Sequence, residues 1–410
     1  MIVRTFLLWA QHAAAGRRAE AAAALARAVL HGGLSATDRR DAETALAALL
    51  DDASPLVRRA LAEAFAGSGD APRHLIVALA NDQGDVAALV LARSPVLTDA
   101  DLVDCAALGD DTARDAIAAR PRVSAGVAGA LAEIAGPRAL TILIANPGAV
   151  LAGSSLMRVL ERHGDDGALR EAMLARDDLP VEVRQAVAAR LAASLQDFVV
   201  GCGWLTRERG ARVAREARDR ATLALRDEAT HPGDAARLVA HLRRSGQLTA
   251  ALVLRATLSG RMDFAEAALA DLAGLPSARV AALIHDGSGG AVAALYRRAG
   301  LPAELYPAFE AALSAWREGA RGTIDAAGPR LSRLMIERAL TACEAMPFEE
   351  ARAVLALLAR FDAEAAREEA RTVAEQVAHE AAQEAALEAV VDALPAALLD
   401  SYRESRAKAA

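Results

Sequence analysis

At 410 residues the chain is long enough for two or three ordinary domains or for one elongated helical stack, and only 3% of it is aromatic. Alanine and leucine enter helices at little cost, while strand-favouring residues are sparse, so an all-α chain is expected. The net charge of −7 is modest, and Lys408 is the single lysine beside two asparagines, Asn81 and Asn146; abundant arginine therefore reads as coding bias, not as selection for phosphate binding.

The opening Met1–Ala10 run is brief in its apolar part and is followed by Gln11, His12, Arg17, Arg18 and Glu20, so it is expected to be an amphipathic helix and not an export signal. Residues 1–50 read as two helices separated by the Gly32-Gly33 break, with Ser35 and Thr37 as capping signals. Ser54-Pro55 then opens a helix in which Val57, Leu61 and Phe65 follow at helical spacing.

From there to about residue 196 one pattern recurs. Pro95, Pro121 and Pro147 stand 26 residues apart, each closely preceded by Ala-Arg or Ala-Asn, and Leu174-Ala175-Arg176 repeats the ending without the proline. Each unit is expected to be two short helices joined at a proline that stops the first. Leu108, Ile134 and Leu160, also 26 apart, are expected at matching depth in the second helices. The period is shorter than in ordinary HEAT or tetratricopeptide repeats and is closer to the compact leucine-rich variant.

Residues 197–233 interrupt the pattern with Gly201-Cys202-Gly203-Trp204, an arginine-rich helix from about 206 to 228, and a His231-Pro232-Gly233 stop. A second helical block is expected over 234–319, with helices near 234–244, 248–258, 262–273, 277–285, 290–299 and 303–317. Its Ala273-Gly274-Leu275-Pro276 recurs as Ala299-Gly300-Leu301-Pro302. In each, glycine is expected to end one helix in a left-handed turn and proline to start the next. Residues 320–329 read as a linker, and 330–400 as a helical pair ending in a long helix from about 362 to 393. Residues 344–392 carry a net charge of −8. Four segments result: 1–196, 197–233, 234–319 and the acidic 320–410.

Phe6–Trp9 with Arg18–Arg27, Leu49–Glu63, Leu91–Val103, Phe264–Pro276 and Ala294–Pro302 match, in order, segments of a known family. The chain resembles a bacterial HEAT-like helical-repeat family catalogued as domain of unknown function 2336. The resemblance covers most of residues 1–320 and implies an all-α, HEAT-like solenoid of short antiparallel helix pairs, and nothing catalytic.

No catalytic or metal set stands out. Cys105, Cys202 and Cys343 lie far apart with no CxxC or Cys/His pair, which argues against disulfides and zinc, fits a reducing cytoplasm and leaves no cofactor to expect. No stretch reaches the ~20 apolar residues of a membrane span. The eight histidines are scattered; His285 beside Gly287–Gly290 is expected to compensate a helix end in an ordinary turn, not to cradle phosphate. Asp51-Asp52, Asp110-Asp111, Asp165-Asp166 and Asp177-Asp178 recur with the repeat and are expected to cap helices.

The irregular part is where a site is expected. Trp204, Arg207, Arg209, Arg212, Arg215 and Arg218 are the candidate partner-binding residues, on a helix whose arginines drift slowly round one side. The bland alternative is a solvated helix laced by Glu208–Arg212, Arg212–Glu216 and Arg215–Asp219. Trp204 either plugs the junction of the two blocks or is an exposed contact. The C-terminal helix, with Ala366, Ala370, Val373 and Val377, then Leu387, Val390, Val391 and Leu394, suits a coiled coil with a second copy, an acidic docking helix, or a cap on the last repeat. A non-enzymatic interaction scaffold with a protein partner is the leading expectation; a nucleic-acid-binding module using residues 204–226 comes second, and an enzyme last.

Overall fold

Cheap helix formers run between Gly, Pro and Asx punctuation, and helices result throughout. The computed structural model describes residues 2–228, 233–324 and 328–392; within them there are helices, turns and one isolated parallel bridge, but no strands. The chain divides into two compact units, Met1–Leu225 and Arg226–Ala410.

The first unit opens with α1 (Ile2–His12), α2 (Ala15–His31) and α3 (Ala36–Leu49). Three helices replace the expected two because the chain also breaks at Ala13–Ala14, where Ala14 is extended. Arg18 Nη1 donates to the Ala13 carbonyl at 2.6 Å and supports that break without glycine or proline. Then come α4 (Pro55–Phe65), α5 (Arg73–Ala80), α6 (Gly84–Arg93), α7 (Asp99–Leu108), α8 (Asp111–Ala118), α9 (Ala125–Ile134), α10 (Pro137–Ala145), α11 (Gly153–His163), α12 (Gly167–Leu174), α13 (Val181–Gly201) and α14 (Arg207–Glu228). Residue 196, where a segment boundary is expected, lies inside α13.

Two rows of helices organise this unit. α2, α4, α6, α8, α10 and α12 each pack on the next, and α7, α9, α11 and α13 do the same. The N-caps of α6, α8, α10 and α12 are Gln83, Asp110, Gly136 and Asp166, spaced 27, 26 and 30 residues apart. Three residues beyond each cap sit the buried Val86, Ala113, Ala139 and Leu169; seven beyond sit the buried Val90, Ile117, Leu143 and Met173. Small alanines among these positions let the helix axes approach closely. Each fully buried leucine-sized side chain contributes about 1.5–3 kcal/mol.

The second row follows its own register. Caps Thr98, Ser124 and Ala152 are 26 and then 28 residues apart, so Cys105, Leu131 and Val159 become the equivalent buried positions. A strict period of 26 therefore fails for the expected trio: Leu160 is 4% exposed, whereas Leu108 is 84% exposed. Two additional residues before α11 shift the register by about half a turn.

Polar side chains tie successive units of the first row together. Arg120, Asn146 and Arg176 each stand ten residues beyond the N-cap of α8, α10 and α12. Arg120 donates to the carbonyls of Leu91 and Ser94, the latter at 2.7 Å, where α6 ends. Asn146 Nδ2 donates to the carbonyls of Ala118 at 2.9 Å and Arg120 at 2.7 Å, where α8 ends. Arg176 Nη1 donates to those of Ile144 at 2.8 Å and Asn146 at 3.2 Å, where α10 ends. Each unit thus satisfies the orphan carbonyls of its predecessor, and cations there complement the negative helix end. The proline turns also meet: Val123 donates to the Gly148 carbonyl at 3.1 Å, and Val150 to that of Val123 at 2.9 Å. A side chain at Gly148 would lie 2.0 Å from the Pro121 carbonyl, so only glycine fits.

Of the four Asp pairs, two cap as expected. Asp110 accepts the Ala113 amide and Asp166 the Leu169 amide. Asp52 and Asp178 instead receive the forked guanidinium groups of Arg18 and Arg176.

The second unit contains α15 (Asp234–Arg244), α16 (Ala250–Leu258), α17 (Met262–Ala273), α18 (Ser277–Asp286), α19 (Gly289–Arg298), a 3-10 turn (Ala303–Leu305), α20 (Tyr306–Ala320), α21 (Gly328–Glu344) and α22 (Phe348–Asp392). Gly274 and Gly300 have φ of +63° and +69°, the left-handed turn the two A-G-L-P segments require. Pro276 and Pro302 occupy the cap itself, one place earlier than expected. α22 begins at Phe348, well before residue 362, because nothing after Pro347 interrupts it. Val354, Leu358 and Phe361 anchor its first half in the second core, with Ala351 also buried, beside an Arg255–Glu364 contact of 2.5 Å. The expected stop at His231-Pro232, residues 325–327 of the expected linker and the tail beyond 392, Leu394 included, lie outside the described residues, as do the side chains of Leu387, Val390 and Val391.

Candidate partner-binding face

α13 carries apolar residues on two sides. Val183 and Val187 are buried in the first core, whereas Leu191, Leu195 and Phe198, spaced four and then three residues apart, form one stripe that stays exposed. Phe198 is 58% exposed. The helix ends in a Schellman turn: Gly203 donates to the Val200 carbonyl at 3.0 Å and Trp204 to that of Val199 at 3.1 Å, with Gly203 at φ +71°. This turn sets the Trp204 indole edge-on to Phe198, with ring centroids 5.7 Å apart.

α14 then returns antiparallel to α13. Thr206 caps it, accepting the Arg209 amide on Oγ1 at 3.3 Å. A side chain at Gly210 would meet Val200 Cγ2 at 2.8 Å, and farther along Gln185 Nε2 donates to Thr222 Oγ1 at 3.5 Å. The two helices of the hairpin thus touch at two points, Gly210 against Val200 and Gln185 against Thr222.

Trp204 is 69% exposed and belongs to neither core. Arg207, Arg209, Arg212 and Arg215 are exposed, and among the described residues none of them makes an ion pair. The expected lacing Glu208–Arg212, Arg212–Glu216 and Arg215–Asp219 does not form. Arg218 differs: it is half-buried, with Nη2 3.7 Å from Asp219 Oδ1. The exposed Val213 sits among the free arginines. Five of the six candidate residues are thus exposed on one hairpin, and Arg218 turns toward its own helix.

Sequence reasoning missed the apolar half of this face. Leu191, Leu195 and Phe198 have ordinary helical core spacing, and nothing local distinguishes an exposed stripe from a buried one. Between α12 and α13 a groove of about 460 Å³ is lined by Arg170, Glu171, Leu174, Val187 and Leu191. Leu191 belongs to both groove and stripe, so the groove adjoins the stripe. Such a surface, bordered by charge, is typical of contact sites on proteins.

The other candidates are structural. His285 bonds through Nε2 to Glu266 Oε1 at 3.0 Å and stands edge-on to Trp316. The carbonyls ending α18 are instead capped by Arg317, which donates to Ile284 at 2.6 Å and Leu283 at 2.8 Å. Burial pulls the Arg317 guanidinium below its ordinary pKa. The Gly287–Gly290 turn is closed by Ser288, which caps α19. Cys105 and Cys343 are buried thiols raised above their ordinary pKa by that burial, whereas Cys202 is exposed beside Trp204. Among the described residues no helix is long and apolar enough to cross a membrane.

A family described as "Uncharacterised protein conserved in bacteria (DUF2336)" matches residues 86–349, more than half of the chain. No curated protein and no solved structure matches.

Proposed function

The chain belongs to this bacterial family, DUF2336, and we propose that it is a non-enzymatic, cytoplasmic interaction scaffold that holds a protein partner on the α13–α14 hairpin. One observation carries the proposal. The hairpin carries an exposed apolar set, Leu191, Leu195, Phe198 and Trp204, on α13 and the turn that ends it, and four exposed arginines free of ion pairs on α14. Desolvating aromatic and aliphatic anchors supplies affinity, and a rim of arginines supplies orientation and on-rate. In this proposal the paired rows of helices extend as a HEAT-like solenoid whose rigidity presents the hairpin. The carbonyl-capping ladder and the alternation of packed neighbours support that reading.

The test is a native pull-down with the full chain and with the double variant Trp204→Ala/Arg212→Glu. The intact chain is expected to recover one dominant protein that the variant loses. Recovery of no protein under gentle conditions would count against the scaffold.

The free arginines favour one second reading, a nucleic-acid-binding module gripping phosphates through Arg207, Arg209, Arg212 and Arg215. A scarcity of lysine and five acids on the same helix weigh against it. A salt titration of duplex binding separates the two, since phosphate contacts give a steep salt slope and a protein-binding face gives none.

A further inference from the structure

We propose that the apolar set on α13 closes against the same set of a second copy of this chain, forming a two-fold dimer. This rests on the hairpin being a protein-binding face and names its partner. Successive residues of a helix turn by about 100°, so Val187, Leu191, Ser194, Leu195 and Phe198 share one side of α13. Gln185, Gln196 and Val200 share the opposite side, where Gln185 bonds to Thr222 and where Gln196 and Val200 face Gly210. α14 therefore leaves the apolar side open. Trp204, edge-on to Phe198, stays with that side.

This face carries both halves of its own complement. At its near end Val187 and Leu191 form, with Leu174 of α12, walls of the groove. At its far end, about 14 Å along α13, Phe198 and Trp204 stand out as aromatic knobs. A two-fold axis beside Ser194, between groove and knobs, runs the two helices antiparallel and lays Phe198 of each copy at the level of the other's groove. Leu191 then packs near Leu195 of the other copy. The same axis returns each flank of the helix to the same flank of its copy. Arg190 and Asp197, two turns apart on one flank, are exchanged by it, so Asp197 of each copy faces Arg190 of the other. Within one chain the Arg190 ion pair with Asp165 is long at 4.0 Å, and Asp197 makes none among the described residues. Leu174, Leu191, Leu195, Phe198 and Trp204 leave on the order of 500 Å² of apolar surface open in each copy, the size of the largest patch on a typical monomer. Two such patches closed on each other reach the ~1,000 Å² of total area that separates a specific interface from a chance contact. A foreign partner would have to supply groove and knobs at this same spacing, whereas a second copy already has them.

Sedimentation velocity on the full chain over a range of concentrations tests this. The expected result is a dimer, weakened about thirtyfold or more by Phe198→Asp or by Leu195→Glu and unchanged by Leu108→Glu, which lies outside the contact. All three side chains are exposed, so circular dichroism should not change. In a Cys202→Ser background, Ser194→Cys is expected to give a covalent dimer with a short bis-maleimide, because residues beside the axis face their own copies. Leu108→Cys in the same background is expected to give none. A chain that stays monomeric at all concentrations overturns this inference and leaves the face free for a foreign protein, so the scaffold proposal survives that outcome. The scaffold proposal fails separately, when residue 204 captures no protein at all. A dimer indifferent to both stripe variants also overturns the inference, as does one from which Ser194→Cys yields no covalent product.

Discussion

Asn146 Nδ2 donates to the carbonyl of Arg120 at 2.7 Å, one unit back, while Arg176 occupies the equivalent place one unit on and donates to the carbonyl of Asn146. The three side chains form a relay in which each helix end is completed by its successor. Substituting Asn146→Asp keeps the shape and replaces the donor by an acceptor facing two carbonyls. The expected cost is about 2–4 kcal/mol at neutral pH, from lost bonds and a half-buried carboxylate facing two carbonyls. The loss should shrink on acidification, as the protonated carboxyl regains a donor. Denaturant titration at neutral and acid pH measures both, and a cost that does not ease with acid would contradict the relay.

Arg120 is the buried member of the set, and burial pulls its guanidinium below the ordinary pKa. Arg120→Met should destabilise the first unit by about 2–3 kcal/mol, since two carbonyls at the end of α6 lose their donor. Arg93 holds the equivalent position in α6 and is exposed, so Arg93→Met should stay within about 0.5 kcal/mol. Equal effects would show that the arginines act only through general charge.

An acid dependence follows from Asp52. The Arg18 fork, at 2.7 and 2.8 Å, holds this carboxyl below the usual carboxylate range, with the Ser54 amide helping. A depressed folded-state pKa contributes stability above the unfolded-state value and loses it as pH falls through the folded-state value. The stability gap between the chain and Arg18→Met should therefore be full above about pH 4 and close below it. Unfolding measured across that window checks this; a gap that persists to about pH 2 would mean Arg18 acts through packing alone.

Much of the fold could be read from Gly, Pro and Asx punctuation alone. The helices of the second block fall close to their expected bounds, and Thr98, Asp110 and Asp166 cap as their types suggest. What escaped depends on contacts distant in sequence. The Ala-Arg and Ala-Asn pairs before the prolines were visible as spacing, but their use as carbonyl caps appears only once neighbouring units are stacked. The break at Ala13–Ala14 has no local breaker. The register slip that buries Leu160 and exposes Leu108 comes from loop length, which a strict period hides. At the candidate site, the arginines and Trp204 were marked by composition, whereas Leu191, Leu195 and Phe198 were not, because periodicity reports a stripe and not what covers it.

Exposure separates binding from stability on the hairpin. Leu195→Ser and Trp204→Ala should each change unfolding free energy by less than about 0.5 kcal/mol, since neither side chain belongs to a core. Both should impair partner capture. Loss of stability above about 1 kcal/mol would mean that the stripe serves the fold instead.

The most direct measurement of the central claim is photo-crosslinking from residue 204 in the intact chain under native conditions, with the still more exposed position 108 as control. A protein adduct from 204 and none from 108 is the expected result, and mass spectrometry then identifies the crosslinked peptide. Adducts to nucleic acid, or no adduct from 204, would contradict the assignment of the α13–α14 hairpin as a protein-binding face.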